Sequence, residues 1–159
     1  MSTNSILKKN LSGYRIVGHK ISPIISDSEI ESIEEAIDSL DTISMVSEHL
    51  SKSLDCLSDR DTPDYPNSVK ESISAVESLC KVITGDQNAS LGKALKKIKD
   101  DIDPAMYKAF NLMYGYTSNS GGIRHGSKES DIPVRQEDAV FMLVTCSAFI
   151  NYLKIKFVL

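Results

Sequence analysis

Apolar residues recur at spacings of three and four along most of the chain, the signature of amphipathic helices, and one early segment breaks that rule. Tyr14-Arg-Ile-Val17 and Lys20-Ile-Ser-Pro-Ile24 are short runs on either side of Gly18-His19, which predicts a small hairpin with Pro23 at an edge position. Ser26-Asp-Ser-Glu29 has the spacing of a capping box and predicts a helix starting near Asp27. Ile30, Ile33, Ile37 and Leu40 then share one face, with Glu31, Glu34, Glu35 and Asp38 largely on the other. Asp41-Thr42 either caps a second helix or bends the first. Ile43, Val46, Leu50, Leu54 and Leu57 continue the spacing to a turn at Ser58-Asp-Arg-Asp-Thr-Pro63.

Pro66 behind Asp64 opens the next helix, whose stripe is Val69, Ile73, Val76, Cys80 and Ile83 and whose stop is Gly85. Ser90 is placed to cap a short helix bearing Leu91, Ala94, Leu95 and Ile98, and Asp103-Pro104 starts another that runs through Met113. From Tyr114 to Gly126 the chain holds four glycines and no helical period, which predicts a loop. About Gln136 to Phe157 it is strongly apolar, with Ala139, Val140, Leu143, Val144, Ser147, Ile150 and Leu153 at helical spacing; Asn151, Lys154 and Lys156 argue for a core helix and against a membrane span. The expected architecture is all-α, a bundle of about five or six helices over 27–159, preceded by a hairpin and lead-in over 1–26, in one domain.

Composition changes this picture little. Of 159 residues 25% are charged and 41% apolar, the balance of an ordinary folded domain, and an N-terminus without an apolar centre points to a cytoplasmic protein. Three separated cysteines, Cys56, Cys80 and Cys146, lie on apolar faces without CxxC pairing, which predicts buried thiols and neither disulfides nor zinc. Charge is more telling, because residues 27–64 carry twelve acids and two bases while residues 1–26 carry four bases and no acid. With a net charge of −4 the chain is no obvious binder of duplex DNA. Lys93, Lys96, Lys97 and Lys99 form the one basic cluster, which is read as a solvated helix face.

Few enzyme motifs occur: the chain has no GxxxxGK[ST], HExxH or GxSxG. His19 is placed in a turn and His49 on a solvated helix face. His125 differs, because it follows Arg124 in the glycine-rich stretch. An imidazole can move a proton near neutrality, and a guanidinium can hold the charge of a phosphorane, so the pair could serve RNA transesterification with the substrate's 2′-hydroxyl as nucleophile. That chemistry requires no cofactor and no metal. Tyr114, Tyr116 and Asn119 nearby suit either packing and turn roles or a site.

The runs Asp64-Tyr-Pro-Asn-Ser-Val-Lys-Glu-Ser-Ile-Ser-Ala-Val-Glu77, Ser90-Leu-Gly-Lys-Ala-Leu95, Tyr114-Gly-Tyr-Thr-Ser118, Gly122-Ile-Arg-His125 and Glu137-Asp-Ala-Val-Phe-Met-Leu-Val-Thr-Cys-Ser-Ala-Phe149 together resemble one family. It is the HEPN-type domain at the N-terminus of AbiJ-like bacterial abortive-infection proteins, and the resemblance extends over nearly the whole chain. It implies a helical bundle that pairs with itself as a homodimer and a superfamily rich in metal-independent endoribonucleases of phage defence and toxin–antitoxin systems. An antitoxin or another defence component is then a further partner. The superfamily signature is an arginine, four to six residues and a histidine; here Ser118 stands at the arginine's place before His125, with Asn119 as the polar residue after it. Arg124, Lys128 or a base from a second subunit are the candidates for the missing charge. The resemblance also places Lys70 and Glu71 on a polar helix face toward the histidine loop, where Glu71 could orient Arg124 or His125. The departure at Ser118 keeps a second possibility open, a non-catalytic module that binds RNA or a partner protein.

Overall fold

The computed structural model describes residues 2–38, 44–119 and 133–159. Gly18, at a φ of +55° that a side chain would strain, makes the tight reversal between β1 (Arg15–Val17) and β2 (Lys20–Ser22), paired antiparallel as Arg15 to Ser22, Ile16 to Ile21 and Val17 to Lys20. So short a hairpin has two open edges. Asn4 covers one by donating to the Ile16 carbonyl and accepting from the Ile16 amide, both at 2.7 Å, while Glu34 takes the Gly18 amide at 2.8 Å. Asn4 belongs to α1 (Thr3–Lys9), a helix in the lead-in that the apolar spacing does not announce because none of its residues is buried.

Ser26 accepts from the Glu29 amide and begins α2 (Asp27–Ile37) where the capping box places it. A separate α3 (Ser44–Ser58) follows, so Ile30, Ile33 and Ile37 belong to one helix and Val46, Leu50, Leu54 and Leu57 to another; Leu40, Asp41, Thr42 and Ile43 lie outside the described residues. Asp64 accepts from the Asn67 amide at 3.0 Å to start α4 (Tyr65–Thr84), and Gly85 ends it in the left-handed conformation. For α5 (Leu91–Lys97) the expected cap is corrected. Ser90 makes no side-chain capping bond, and the Glu77 carboxylate of α4 accepts from the Leu91 amide at 3.1 Å instead. Asp103 caps α6 (Pro104–Asn119), which runs on through Tyr114–Asn119, the first part of the stretch expected to be a loop; the rest of that stretch lies outside the described residues. Among the described residues six helices lie within 27–159, where five or six were expected, and α1 in the lead-in makes seven.

The last, α7 (Gln136–Phe157), is the central element. It packs against α4, α2 and α3 and buries Ala139, Met142, Leu143, Cys146, Ser147, Phe149, Ile150 and Leu153. Its polar residues do specific work: Asn151 donates to the Ser32 carbonyl at 2.9 Å, and the Lys154 ammonium donates to the Glu35 and Ala36 carbonyls at the end of α2. Burial of that ammonium lowers its pKa. Among the described residues α7 alone is long and apolar enough to cross a membrane, and here it is the spine of a helical bundle.

The tightest seam lies between α3 and α4, where three fully buried serines meet. Ser53 donates to the Ser68 carbonyl at 2.8 Å, its Oγ lies 2.8 Å from that of Ser72, and Ser72 in turn donates to the Ser68 carbonyl at 3.0 Å. Small side chains let the two helices approach, and the hydroxyls satisfy one another where water is excluded. Ser53→Ala should cost about 1 kcal/mol for the lost hydrogen bonds, and Ser53→Leu about 1–3 kcal/mol more by overpacking. Urea unfolding of both variants checks this, and equal losses would contradict the steric part of the account.

Candidate functional site

Arg124, His125 and Lys128 lie outside the described residues. Ser118 and Asn119 fall in the last turn of α6, and their side chains also lie outside the described residues. What can be built is the frame on which that stretch is mounted. It leaves from the end of α6 and returns at the start of α7, and Tyr116 lies near enough to Asp138 to feel its charge. Burial first, and the Asp138 carboxylate second, raise the pKa of the Tyr116 hydroxyl. Asp138 itself accepts from the Arg135 amide at 2.9 Å, which ties the carboxylate to the first turn of α7. Tyr116 in the last turns of α6 thus lies within electrostatic reach of the first turn of α7.

Tyr114 is a packing residue, with its ring over Gly92 of α5, 3.6 Å from where a Cβ would sit. Phe110 stacks on Phe149 of α7, while Ala105, Ala109, Leu112 and Tyr116 remain on the outer side of α6.

Glu71 and Lys70 have different surroundings. Lys70 is exposed, whereas the Glu71 carboxylate is half-buried and engaged by His49 of α3, Nδ1 to Oε2 at 2.6 Å. His49 is thus no solvated residue, as its acidic surroundings suggested, but half of a pair across the α3–α4 seam with side chains 23% and 18% exposed. The signal missed is one of register: His49 lies four residues before Ser53, on the side of α3 that turns toward α4. His19 is exposed in its turn, as expected. Lys93, Lys96, Lys97 and Lys99 are exposed, with Lys97 paired to Asp86 at 2.7 Å. Burial pushes the Cys80 and Cys146 thiols up to about 12; Cys56, expected to be buried like them, is only half-buried, and its thiol is raised by burial and by nearby carboxylates. Among the described residues no group of three or more His, Cys, Asp or Glu side chains gathers to hold a metal ion.

A group of residues that sequence reasoning did not single out lies at the same end of the bundle. Two adjoining cavities, of about 230 and 420 Å³, share Ser58, Asp59 and Arg60. The smaller is closed by Tyr14, Pro23, Tyr65 and Gln136, the larger by His19, Lys20, Ile21 and Asp55. The Arg60 guanidinium sits over the Tyr14 ring, 5.4 Å from its centroid. No single motif spans these positions; they meet only because the hairpin folds back on the α3–α4 turn. No family model, curated protein or solved structure matches the chain.

A double-mutant cycle on His49→Ala and Glu71→Ala should return a coupling of about 1 kcal/mol, given the partial exposure of the pair. Additive single losses in thermal or urea unfolding would show that the contact contributes nothing.

Proposed function

We propose that the chain is a HEPN-type defence protein that pairs with itself and cleaves RNA without a metal, with His125 transferring the proton and Arg124 holding the phosphate. The observation that carries the proposal is the ordered set of family-like runs from Asp64 to Phe149, which ends in Arg124-His125. Supporting it is the chain order, in which the segment with that dipeptide links α6, ending at Asn119, to α7, beginning at Gln136. Two such ends facing each other across a pair of subunits would form a groove for a polynucleotide. An adjacent cation could stand in for the arginine that Ser118 replaces, since a phosphorane needs positive charge at the oxygens more than it needs a particular register.

Self-pairing is supported by the outer side of α7. Phe141 is 61% and Ile155 78% exposed, and with Thr145, Ala148 and Tyr152 they follow a helical stripe at spacings of four, three, four and three. Thr145 turns its hydroxyl onto the Phe141 carbonyl at 2.7 Å, which leaves the stripe more apolar than its composition. A helix that is apolar all round calls for cover on both sides, and among the described residues the bundle covers only one.

The replacement at Ser118 favours one second reading, an RNA- or partner-binding module without turnover. A single assay separates the two. Purified protein in EDTA should cut single-stranded RNA to products with 2′,3′-cyclic phosphate ends, and His125→Ala should lower the rate at least 100-fold, the ordinary range for loss of a general acid–base group. Cleavage that survives in the variant rejects His125, and wild-type protein that binds RNA without cutting it selects the second reading.

Phe141→Asp should convert a dimer to a monomer in light scattering while leaving the circular dichroism unchanged, because the side chain is exposed within one subunit. A wild-type protein that is monomeric at all concentrations removes the self-pairing part.

A further inference from the structure

The cleft between the hairpin and the α3–α4 turn has a lining whose charges are largely spoken for. Lys20 pairs with Asp55 at 2.8 Å. Asp59 accepts from the Asp61 and Thr62 amides, each at 2.9 Å, and these backbone bonds hold its pKa below the usual carboxylate value. Arg60 has no carboxylate partner among the described residues and lies on Tyr14. Formal charges in the cleft therefore cancel, and the lining gives little pull on a phosphate as such.

What it does offer is planar surface and unspent hydrogen bonds. Tyr14 keeps 42% of its surface exposed beneath the guanidinium, so a second flat group can stack against the ring or slide beside it. The Ser58 hydroxyl is buried, without a hydrogen-bond partner, and Ser58 lines both cavities. Gln136 takes only a long 3.5 Å bond from the Tyr65 hydroxyl, and its amide can present a donor and an acceptor side by side. A neutral heteroaromatic ring with donors and acceptors on its edge matches this set, and the edges of an unpaired base have that character.

Location adds a second argument. Gln136 is the first residue of α7, so the cleft adjoins the place where the segment bearing Arg124 and His125 rejoins the bundle.

We propose that this cleft receives one unpaired nucleobase of a single-stranded RNA, stacked on Tyr14 and Arg60 and contacted along its edge by Ser58 and Gln136. The proposal rests on the RNA-directed reading above, yet it concerns binding and stands or falls apart from catalysis. Tyr14 and Arg60 are binding residues, and the mixed stack explains why an arginine sits in an otherwise acidic turn.

The test is fluorescence anisotropy with labelled oligo(A) and oligo(U) in EDTA, using a His125→Ala background so that the probe survives. Tyr14→Ala should weaken binding roughly 5- to 150-fold, the loss of one base–aromatic stack, with the salt dependence unchanged because no phosphate contact is removed. Tyr14→Phe should bind as the parent does, and Arg60→Lys should be weaker because the flat guanidinium is lost. Duplex RNA, whose bases are already stacked, should bind more weakly than either oligomer. Circular dichroism on each variant separates loss of binding from loss of fold, and Arg60→Ala gives a second reading should Tyr14→Ala disturb the hairpin. Parent-like binding by both alanine variants, equal binding of duplex, or no binding by the parent overturns the proposal. Binding without cleavage by wild-type protein leaves the cleft standing and removes the nuclease. Cleavage with an unchanged KM in Tyr14→Ala does the reverse.

Discussion

Ser53, Ser68 and Ser72 set how closely α3 and α4 can lie, and much else in the molecule is positioned by that approach. An oxygen atom buried without a partner costs free energy, and these three answer one another, so this contact admits few alternative registers. Fixing α3 against α4 brings His49 to Glu71 farther along the same seam, and at its other end fixes where Ser58, Arg60 and Tyr65 emerge. The turn between the helices is closed by the Asp64 amide on the Cys56 carbonyl at 2.9 Å. The hairpin then seats Tyr14 and Pro23 on a platform that already exists.

The seam and α7 divide the labour. Van der Waals packing along α7 joins α2, α3 and α4 into one core, but such packing is non-directional and would accept shifts of the helix along its axis. Direction comes from Asn151 and Lys154, whose donors meet carbonyls at Ser32, Glu35 and Ala36 in the last turns of α2. An ammonium placed there compensates the negative end of α2, and the partial burial that lowers its pKa is the cost of reaching those carbonyls.

Legibility in the sequence follows this division. Where an apolar stripe meets a local cap, as at Ser26, Asp64 and Gly85, helix bounds come directly from the residue types. Where a helix lacks a buried stripe, periodicity has nothing to report: α1 buries no residue, and the outer face of α6 hides the continuation through Gly115. Glycine in that stretch is compatible with helix at a modest cost, and the ring of Tyr114 packed over Gly92 is the tertiary contact that local reading could not foresee. The cap of α5 fails for a related reason, since Glu77 reaches it from another helix. The Arg124-His125 dipeptide stands out by chemistry alone. The cleft is silent in sequence because Tyr14, Ser58, Arg60, Tyr65 and Gln136 are brought together only by tertiary structure.

The acidic block at residues 27–64 bears on any nucleic-acid role, because a polyanion is repelled by the surface of α2 and α3. Pairing does not erase that charge, but it places the relief selectively. Lys8 meets Asp27, Lys52 meets Glu48 and Lys20 meets Asp55, all at 2.6–2.8 Å on half-exposed surface where such pairs add little stability. Of the three, the Lys20 to Asp55 pair stands at the rim of the cleft, and there its electrostatic consequence outweighs its energetic one. It removes a repelling carboxylate from beside Arg60 and leaves the rest of the face negative. On the proposed reading an RNA strand is thereby kept off α2 and α3 and admitted only at the end of the bundle where α7 begins. The acidity that counts against nucleic acid over the whole chain becomes, at this one rim, a reason for a strand to enter from a single direction.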